Sequence, residues 1–260
     1  MGLQEWFGLD GKRALVTGAS RGLGREMALA LAEAGADIII TGRTQETLDA
    51  TAADIRAIGR QAWTVRADMA VPEECEAACE TILAEHGPID ILINNVGNRD
   101  LNVPIEEETL ADWRSLMDLN LTSCFLATKL IGGAMLKRGQ GGRIINIASI
   151  SALIANRGIG GRHYETGKAA VLHFTRCAAA DWAPHGITVN AICPGLFMTD
   201  ANRHWNEIRP EVIETFVRQV PMGRPGNPPE IGPLAVYLAS PAATYVTGAA
   251  YVIDGGYTLW

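Results

Sequence analysis

The sequence predicts an α/β fold in which one parallel sheet is covered by helices on both faces. Short β-rich runs alternate with longer helical stretches, and the β-rich runs are continuously apolar rather than alternating. Continuously apolar strands are typical of parallel sheets that are buried on both faces. No linker, repeat or shift of composition divides the 260 residues. We therefore expect a single domain over residues 1–260.

The predicted elements follow one another along the whole chain. The expected strands lie at 12–18, 36–42, 61–68, 89–95, 141–149, 186–195 and 249–256. The expected helices lie at 22–34, 44–58, 72–87, 109–138 and 164–183, followed by an irregular stretch with helical character at 199–219. The helix at 72–87 has proline at its start and glycine at its end, which are helix boundary signals. The Pro- and Gly-rich segment 221–229 is expected to be a loop.

The composition argues against several classes of protein. A net charge of −7 lacks the basic excess that nucleic acid or an anionic membrane surface would require. No apolar run approaches the 18 residues of a membrane span, and the first residues do not resemble a secretory signal. The five cysteines and five histidines lack zinc-site spacings, so we expect reduced thiols and no metal. These features predict a cytoplasmic protein.

A glycine-rich turn follows the first predicted strand and precedes the first helix. In VTGASRGLG, the glycines are Gly18, Gly22 and Gly24, spaced G-x3-G-x-G. Glycines allow the backbone to approach a pyrophosphate, and the helix N-terminus offers free N–H groups and a positive dipole end. Such a turn is a weak signal alone, but the strand–turn–helix context favours a dinucleotide site.

Two arginines bear on the choice of dinucleotide. Arg21 lies inside the glycine turn, and Arg43 follows Gly42 at the end of the second strand. An acidic residue at position 43 would bind the ribose hydroxyls of NAD, whereas an arginine there suits the 2′-phosphate of NADP. The sequence therefore predicts NADP, although both arginines could also be ordinary solvated side chains.

A serine, tyrosine and lysine in residues 148–168 form a candidate catalytic group. Tyr164 and Lys168 are four residues apart and share one helix face. A nearby ammonium group favours the phenolate and should lower the pKa of Tyr164. A serine hydroxyl can donate a hydrogen bond to a substrate oxygen. A Tyr/Lys pair at this spacing is also common on exposed helices, and the serine could be Ser149 or Ser151.

Five motifs in this order resemble the short-chain dehydrogenase/reductase family. They are TGASRGLG, NNVG at 94–97, a serine after the fifth strand, Y-x3-K at 164–168 and PG at 194–195, and the match runs from about residue 8 to the end. The resemblance implies a Rossmann-like domain with a seven-stranded parallel sheet, and usually a homotetramer. It also implies a catalytic set of Asn120, Ser149, Tyr164 and Lys168, in which Asn120 holds a water.

The same resemblance implies a set of cofactor contacts. Asp68 would hold the adenine amino group, and Thr199 would hold the nicotinamide carboxamide. The full set is Gly18, Ser20, Arg21, Gly22, Leu23, Arg43, Asp68, Met69, Asn95, Gly97, Tyr164, Lys168, Pro194, Gly195 and Thr199. Val96 replaces the alanine that is commoner in the family, with little expected effect because the backbone makes the contact.

The spacing of the serine departs from the family pattern. Members of the family usually have thirteen positions from the serine to the tyrosine, which selects Ser151, whereas Ser149 is 15 positions before Tyr164. We favour Ser149 because it closes the fifth strand, and a strand end is more rigid than a loop. The loop at 156–163 can then absorb two extra residues, and it is expected to border the substrate pocket.

Several polar side chains near this loop could face the pocket and favour a polar or anionic substrate such as a sugar acid. They are Arg99, Asn156, Arg157, Arg162, His163, Asn202, Arg203 and His204. They could equally be surface charges of loops. The segment 199–219 is expected to form a lid over the substrate.

Within the family, the pattern looks most like gluconate 5-dehydrogenase-type and 3-oxoacyl-carrier-protein reductase-type members. Reductases of the second type tend to have arginines where this chain has Gln140 and His185, which weakens an acyl-carrier docking site. A general β-keto ester or diketone reductase is a further alternative. A catalytically silent NADP-binding regulator is a remote one, because the Asn/Ser/Tyr/Lys set is intact.

Overall fold

Seven parallel strands form the central sheet of the computed structural model, which describes residues 2–156 and 160–259. The strand order is β3-β2-β1-β4-β5-β6-β7, and every neighbouring pair is parallel. The strands are β1 (Arg13–Val16), β2 (Asp37–Gly42), β3 (Ala62–Arg66), β4 (Ile91–Asn94), β5 (Gly142–Ile147), β6 (Ile187–Pro194) and β7 (Ala250–Ile253). The predicted α/β class and seven-stranded Rossmann-like sheet are confirmed.

Helices connect the strands and cover both faces of the sheet. They are α1 (Leu3–Phe7), α2 (Gly22–Glu33), α3 (Gln45–Ala57), α4 (Pro72–His86), α5 (Leu110–Arg138), α6 (Arg162–Trp182), α7 (Asp200–Ile208), α8 (Pro210–Val217) and α9 (Gly232–Ala239). Short 3₁₀ turns lie at Ile105–Glu107, Ile150–Ala152, Ala183–His185, Pro228–Ile231, Pro241–Ala243 and Tyr257–Leu259.

Each face of the sheet buries its own hydrophobic core. Successive strand residues point to opposite faces, so Val16 of β1 packs with α2, α3 and α9 while Leu15 packs with α4, α5 and α6. Both side chains are fully buried. Continuous apolar strands are therefore explained by two covered faces, as the sequence predicted.

The segment 199–219, expected to be irregular with helical character, forms two helices. Arg209 separates α7 from α8, and Pro210 is the first residue of α8. A proline lacks the N–H that a continuing helix needs, and it is well tolerated at a helix start. The sequence signal for the break was therefore present at Pro210.

Helix α5 is regular except at two π-type turns, Asp118–Thr122 and Thr128–Gly132. By length and composition alone it could cross a membrane, although the sequence shows no unbroken apolar run of that length. Half of its most apolar window is buried, and Ile131 and Met135 pack against the sheet. The helix is thus a core helix of this fold.

A ladder of buried polar side chains crosses the sheet near the carboxyl ends of β4 and β5. The Nδ2 group of Asn94 donates to Asn146 Oδ1 and to Thr128 Oγ1, each at 2.9 Å. The Nδ2 group of Asn146 donates to Thr175 Oγ1 at 2.9 Å. The ladder therefore joins two strands to α5, which contains Thr128, and to α6, which contains Thr175.

Candidate active site

The glycine turn has the geometry that a pyrophosphate requires. Gly18 and Gly22 have φ values of +65° and +60°, a region that side chains disfavour. Helix α2 begins at Gly22, and its N-cap residue Arg21 makes no side-chain cap, so the first N–H groups remain available. A Cβ on Gly24 would lie 2.5 Å from the Gly18 carbonyl oxygen. The turn therefore fits a dinucleotide phosphate at a helix N-terminus.

Asn95 fixes this turn from the end of β4. Its Nδ2 group donates to the carbonyl oxygens of Thr17 and Gly18, each at 3.0 Å, and its backbone N–H donates to Thr17 Oγ1 at 3.0 Å. The predicted cofactor residues Gly18 and Asn95 are thus brought together. Asn95 acts on the turn through its side chain, a role that the sequence did not reveal.

At the other end of the cleft, β2 ends at Gly42 and Arg43 extends into solvent. The Arg43 side chain is 72% exposed and lies 3.9 Å from the Asp68 carboxylate. Ser20 packs against Gly42, where a Cβ would lie 3.3 Å from its hydroxyl, while Met69 is buried. Arg43, Asp68 and Ser20 therefore surround one corner, where the Arg43 guanidinium lies at the surface beside the Asp68 carboxylate.

The remaining predicted cofactor residues border the same cleft. Thr199 caps α7, and its Cγ2 atom lies 3.6 Å from the position of a Cβ on Gly22. Gly195 follows Pro194 at the end of β6. It approaches Asp254 so closely that a Cβ on Gly195 would lie 2.8 Å from the Asp254 Cα. Leu23 is in the first turn of α2, half-buried. The start of α7 therefore adjoins the glycine turn.

Lys168 and Asn120 meet beside Gly97. The Lys168 amine is buried and donates to the Ile147 carbonyl oxygen at 2.8 Å. A Cβ on Gly97 would lie 2.5 Å from Lys168 Nζ and 2.8 Å from Asn120 Oδ1. Only glycine therefore fits at position 97, where φ is also +154°.

Asn120 is fixed by three hydrogen bonds within a π-type turn of α5. Its Nδ2 group donates to the carbonyl oxygens of Asn98 and Leu116, each at 3.0 Å, and its Oδ1 accepts from the Asn98 N–H at 3.1 Å. Turns of this type occur frequently at functional sites because they redirect one side chain. The predicted residues Asn120, Gly97 and Lys168 thus form one cluster.

Ser149 and Ser151 have different surroundings. The Ser149 hydroxyl is near enough to the Tyr164 phenol to lower its pKa, and its Oγ accepts the backbone N–H of Ser151 at 3.1 Å. Ser151 Oγ instead accepts from Asn156 Nδ2 at 2.8 Å and from the Arg99 guanidinium at 3.4 Å. The hydroxyl beside Tyr164 is therefore that of Ser149, while the serine that takes part in a reaction stays a prediction.

Two ionisable groups of this site are perturbed by burial. Burial raises the pKa of Tyr164, against lowering contributions from the Ser149 hydrogen bond and the Arg99 charge. Burial lowers the pKa of Lys168 to about 8, against raising contributions from Cys124 and Cys193. We expected Lys168 to lower the pKa of Tyr164, but Lys168 Nζ lies 5.8 Å from the ring centroid and donates to Ile147 instead. The cation that lowers it here is Arg99.

The polar loop residues divide into two groups. Arg99 lies over the Tyr164 ring, and Asn156 and Arg162 both hydrogen-bond to Glu165. Glu165 is the residue that the sequence reasoning missed, because a single glutamate after the tyrosine carries no recognisable pattern. These four side chains line one wall beside Tyr164.

The others do not face Tyr164. His163 is fully buried against Glu108, with 2.5 Å between Nδ1 and the carboxylate. Asn202 donates to the Phe197 carbonyl oxygen, Arg203 pairs with Asp200, and His204 is exposed. Arg157 lies outside the described residues. Among residues 2–156 and 160–259, no three His, Cys, Asp or Glu side chains are grouped to hold a metal ion.

A glycine turn at a helix N-terminus and a Ser–Tyr–Lys group, both beyond the carboxyl ends of strands in a sheet of this order, are typical of Rossmann-type oxidoreductases. The sequence profile of a family described as enoyl-(acyl carrier protein) reductase matches residues 18–258. Galactitol 2-dehydrogenase (L-tagatose-forming) of Cereibacter sphaeroides is 41% identical over 254 residues, 98% of both chains. The 3-oxoacyl-[acyl-carrier-protein] reductase of Synechocystis sp. is 38% identical over 255 residues, 97% of this chain and 99% of the relative.

A solved structure extends the comparison to the whole fold. The gluconate 5-dehydrogenase from Burkholderia cenocepacia, in complex with NADP and tartrate, superposes with a TM-score of 0.92 at 36% identity, covering 100% of both chains. This chain belongs to the short-chain dehydrogenase/reductase family, as its motifs predicted. It is an oxidoreductase that acts on CH–OH groups and ketones, and the cofactor of such enzymes is NAD(P).

The buried amine of Lys168 predicts a specific dependence of stability on pH. Its pKa is about 8 in the folded protein, against an ordinary 10.5. Below about pH 8 the folded state must hold a charged, desolvated amine. Between pH 8 and 10.5 the folded state releases this proton before the unfolded state does. The contribution of Lys168 to the free energy of unfolding should therefore rise with pH across this window, by about 3 kcal/mol, which the difference between the unmodified protein and a Lys168 variant isolates from the other titrating groups.

Lys168→Met should remove this rise, as measured by urea unfolding at fixed protein concentration across the window. Lys137→Met, at an exposed lysine of α5, is the control and should leave the rise unchanged. If Lys168→Met and the unmodified protein gave parallel curves, the amine would not be desolvated as described.

Proposed function

We propose that the protein is an NADP(H)-dependent oxidoreductase that interconverts a ketone and a secondary alcohol on a small polar substrate. A sugar acid is the substrate class that we favour, as in gluconate 5-dehydrogenase. The main support is the arrangement of Tyr164, which has the Ser149 hydroxyl beside it and the Lys168 amine one helical turn away. The glycine turn follows the carboxyl end of β1, and Ser149 follows the carboxyl end of β5, so both lie at the same edge of the parallel sheet.

In alcohol oxidation, Tyr164 acts as a phenolate and takes the proton of the substrate hydroxyl. Ser149 donates a hydrogen bond to the same oxygen and positions it. NADP⁺, when bound beside these residues, would supply the acceptor for the hydride of the alcohol carbon. Lys168 would hold the nicotinamide ribose. Asn120 would hold a water through which the proton from Tyr164 reaches solvent.

Arg43 and Arg21 support NADP over NAD. Both side chains lie in exposed positions near the turn that would hold the adenosine, and position 43 carries no carboxylate that would repel a phosphate. Asp68, 3.9 Å from Arg43, lies at the edge of this corner, where the adenine amino group is proposed to bind. An arginine–phosphate contact is charge-assisted and can be bidentate.

An excess of positive charge beside Tyr164 supports an anionic substrate. Two guanidinium groups, those of Arg99 and Arg162, share the single carboxylate of Glu165. An acyl-carrier substrate is less well supported, because exposed side chains of glutamine and histidine, Gln140 and His185, stand where arginines would be expected. A carboxylate at one end of a polyhydroxy substrate would complement the remaining charge.

Three further features belong to the proposal. Helices α7 and α8 would form the lid, since Trp205, Ile208 and Val212 are exposed apolar side chains on them. A homotetramer is supported by the family resemblance and by Phe125 of α5, exposed beside Phe174 of α6. A cytoplasmic location, with no nucleic-acid or membrane partner, is supported by the acidic composition.

Oxidation of matched substrate pairs tests the proposal. With NADP⁺, we expect a higher kcat/KM for D-gluconate than for D-glucitol, because the pair differs only in the carboxylate. Reduction of a 3-oxoacyl thioester by NADPH should be slower than reduction of a keto-sugar acid. A preference for the polyol would contradict the sugar-acid assignment, and no turnover with any alcohol or ketone would contradict the oxidoreductase.

Arg43→Ala should weaken NADPH binding far more than NADH binding. Losing a charged hydrogen bond costs about 1.5–3 kcal/mol, or roughly ten- to a hundredfold in affinity. Titration of cofactor fluorescence measures both affinities. Arg218→Ala, at an exposed arginine after α8, is the control. Equal kcat/KM for the two cofactors in the unmodified protein would contradict the proposal.

Ser149→Ala should lower kcat by about a hundred- to a thousandfold, because it removes a donor to the reacting oxygen. Ser151→Ala should lower kcat far less, because the backbone N–H of residue 151 that donates to Ser149 Oγ remains. Tyr164→Phe should be close to inactive. Steady-state kinetics with NADPH affinity measured in parallel separates these effects. A crippling Ser151→Ala with a mild Ser149→Ala would instead select Ser151.

A further inference from the structure

A guanidinium lies over the face of the Tyr164 ring. The Cζ atom of Arg99 is 4.7 Å from the ring centroid, whereas Lys168 Nζ is 5.8 Å away. Arg99 comes from the loop after β4, while Tyr164 and Lys168 belong to α6. The cation nearest the ring is therefore on a different element from the tyrosine.

Three groups hold Arg99 in this place. Its NH1 donates to the Gly160 carbonyl oxygen at 2.7 Å, and its NH2 lies 3.4 Å from Ser151 Oγ and 3.5 Å from the Glu165 carboxylate. The side chain is only 19% exposed. The Tyr164 ring is its fourth neighbour. These contacts fix the position of the Arg99 guanidinium.

Glu165 is in turn fixed as a carboxylate. Its Oε1 accepts from the backbone N–H and the Nδ2 of Asn156, at 2.9 and 3.0 Å, and its Oε2 pairs with Arg162 at 2.5 Å. Burial alone would raise the pKa of Glu165, but the hydrogen bonds from Asn156 and Arg162 bring it below its usual value. A negative charge therefore stands on the far side of Arg99.

We propose that Arg99 is a positioning residue that stabilises the phenolate form of Tyr164, and that Glu165 limits this effect by holding and partly neutralising Arg99. The proposal rests on the proposed role of Tyr164 as the proton acceptor. The negative charge of a phenolate is shared with the ring, so a cation over the ring face acts on it directly. The attraction is greater for the phenolate than for the neutral phenol, which offers only its quadrupole.

Other charged or titratable groups near Tyr164 do not take this place. Lys168 Nζ donates to the Ile147 carbonyl oxygen, with the Cys124 and Cys193 thiols close to it. His163 is paired with Glu108 in the interior. Arg162 is held by Glu165. Lys168 Nζ also lies over the ring but 5.8 Å from its centroid, so Arg99, at 4.7 Å, is the nearer of the two cations.

Opposite shifts from two substitutions test the inference. The protein contains five tyrosines, so ¹³Cζ-tyrosine labelling with Tyr164→Phe as reference identifies the Tyr164 signal, whose titration gives its pKa in the cofactor-free protein. Arg99→Gln should move this pKa upward by about one unit or more, as expected for loss of an opposite charge at this range. Glu165→Gln should move it downward, because the negative charge that opposes the field of Arg99 at the ring is removed. Arg99→Lys should retain part of the effect.

Lys137→Gln removes one charge at an exposed site and is the control, with no expected shift. If Arg99→Gln failed to fold, Arg99→Lys and Glu165→Gln would still decide the matter. Shifts of the same sign for Arg99→Gln and Glu165→Gln, or no shift in Glu165→Gln, would overturn the proposal.

Enzyme kinetics provides a second readout. In alcohol oxidation, the limb of the kcat/KM profile that reports the phenolate should move to higher pH in Arg99→Gln and to lower pH in Glu165→Gln. A purely structural role would lower the rate without opposite displacements of this limb. Absence of turnover in the unmodified protein together with opposite NMR shifts would refute the proposed function and support the interaction. Turnover without opposite NMR shifts would support the proposed function and refute the role of Arg99.

Discussion

Two buried asparagines at the carboxyl ends of β4 and β5 hold the helices that bear the candidate site. Asn94 and Asn146 bond to each other, and they reach Thr128 of α5 and Thr175 of α6. The same two helices supply Asn120 on one side and Tyr164 with Lys168 on the other. Because an unpaired buried polar group costs about 1–3 kcal/mol, the ladder favours one relative placement of strands and helices.

Within that frame, the site is shaped by how closely polar groups can approach one another. The missing side chain of Gly97 allows the Lys168 amine and the Asn120 amide to meet at the end of β4. Burial then makes the amine easier to deprotonate and the phenol harder to ionise. A neighbouring cation therefore has more influence on Tyr164 than it would in water, where the charges would be screened.

The features that the sequence predicted are those governed by local pattern. Seven strands, the glycine turn and the Tyr164–Lys168 spacing all follow from periodicity or fixed spacing. The partners of Tyr164 do not, because Arg99 lies 65 positions earlier and on a loop without periodicity. His163 shows the same limit: it adjoins Tyr164 in sequence, yet a helix turns it into the interior against Glu108. Long-range loop placement depends on packing that no short motif records.

The two π-type turns of α5 make that helix less regular than its stability alone would favour. Each such turn accommodates one residue more than a regular helical turn would. Deleting one residue within 118–122 could restore a regular helix with all its backbone hydrogen bonds. The side chains before the deletion would then rotate by about 100° relative to those after it. Asn120 and the buried residues at the other end of α5 could no longer both keep their present positions. A regular α5 would thus be more stable as a helix but would lose the placement of Asn120. The π-type turn is therefore explained by the position of that side chain and not by the stability of the fold.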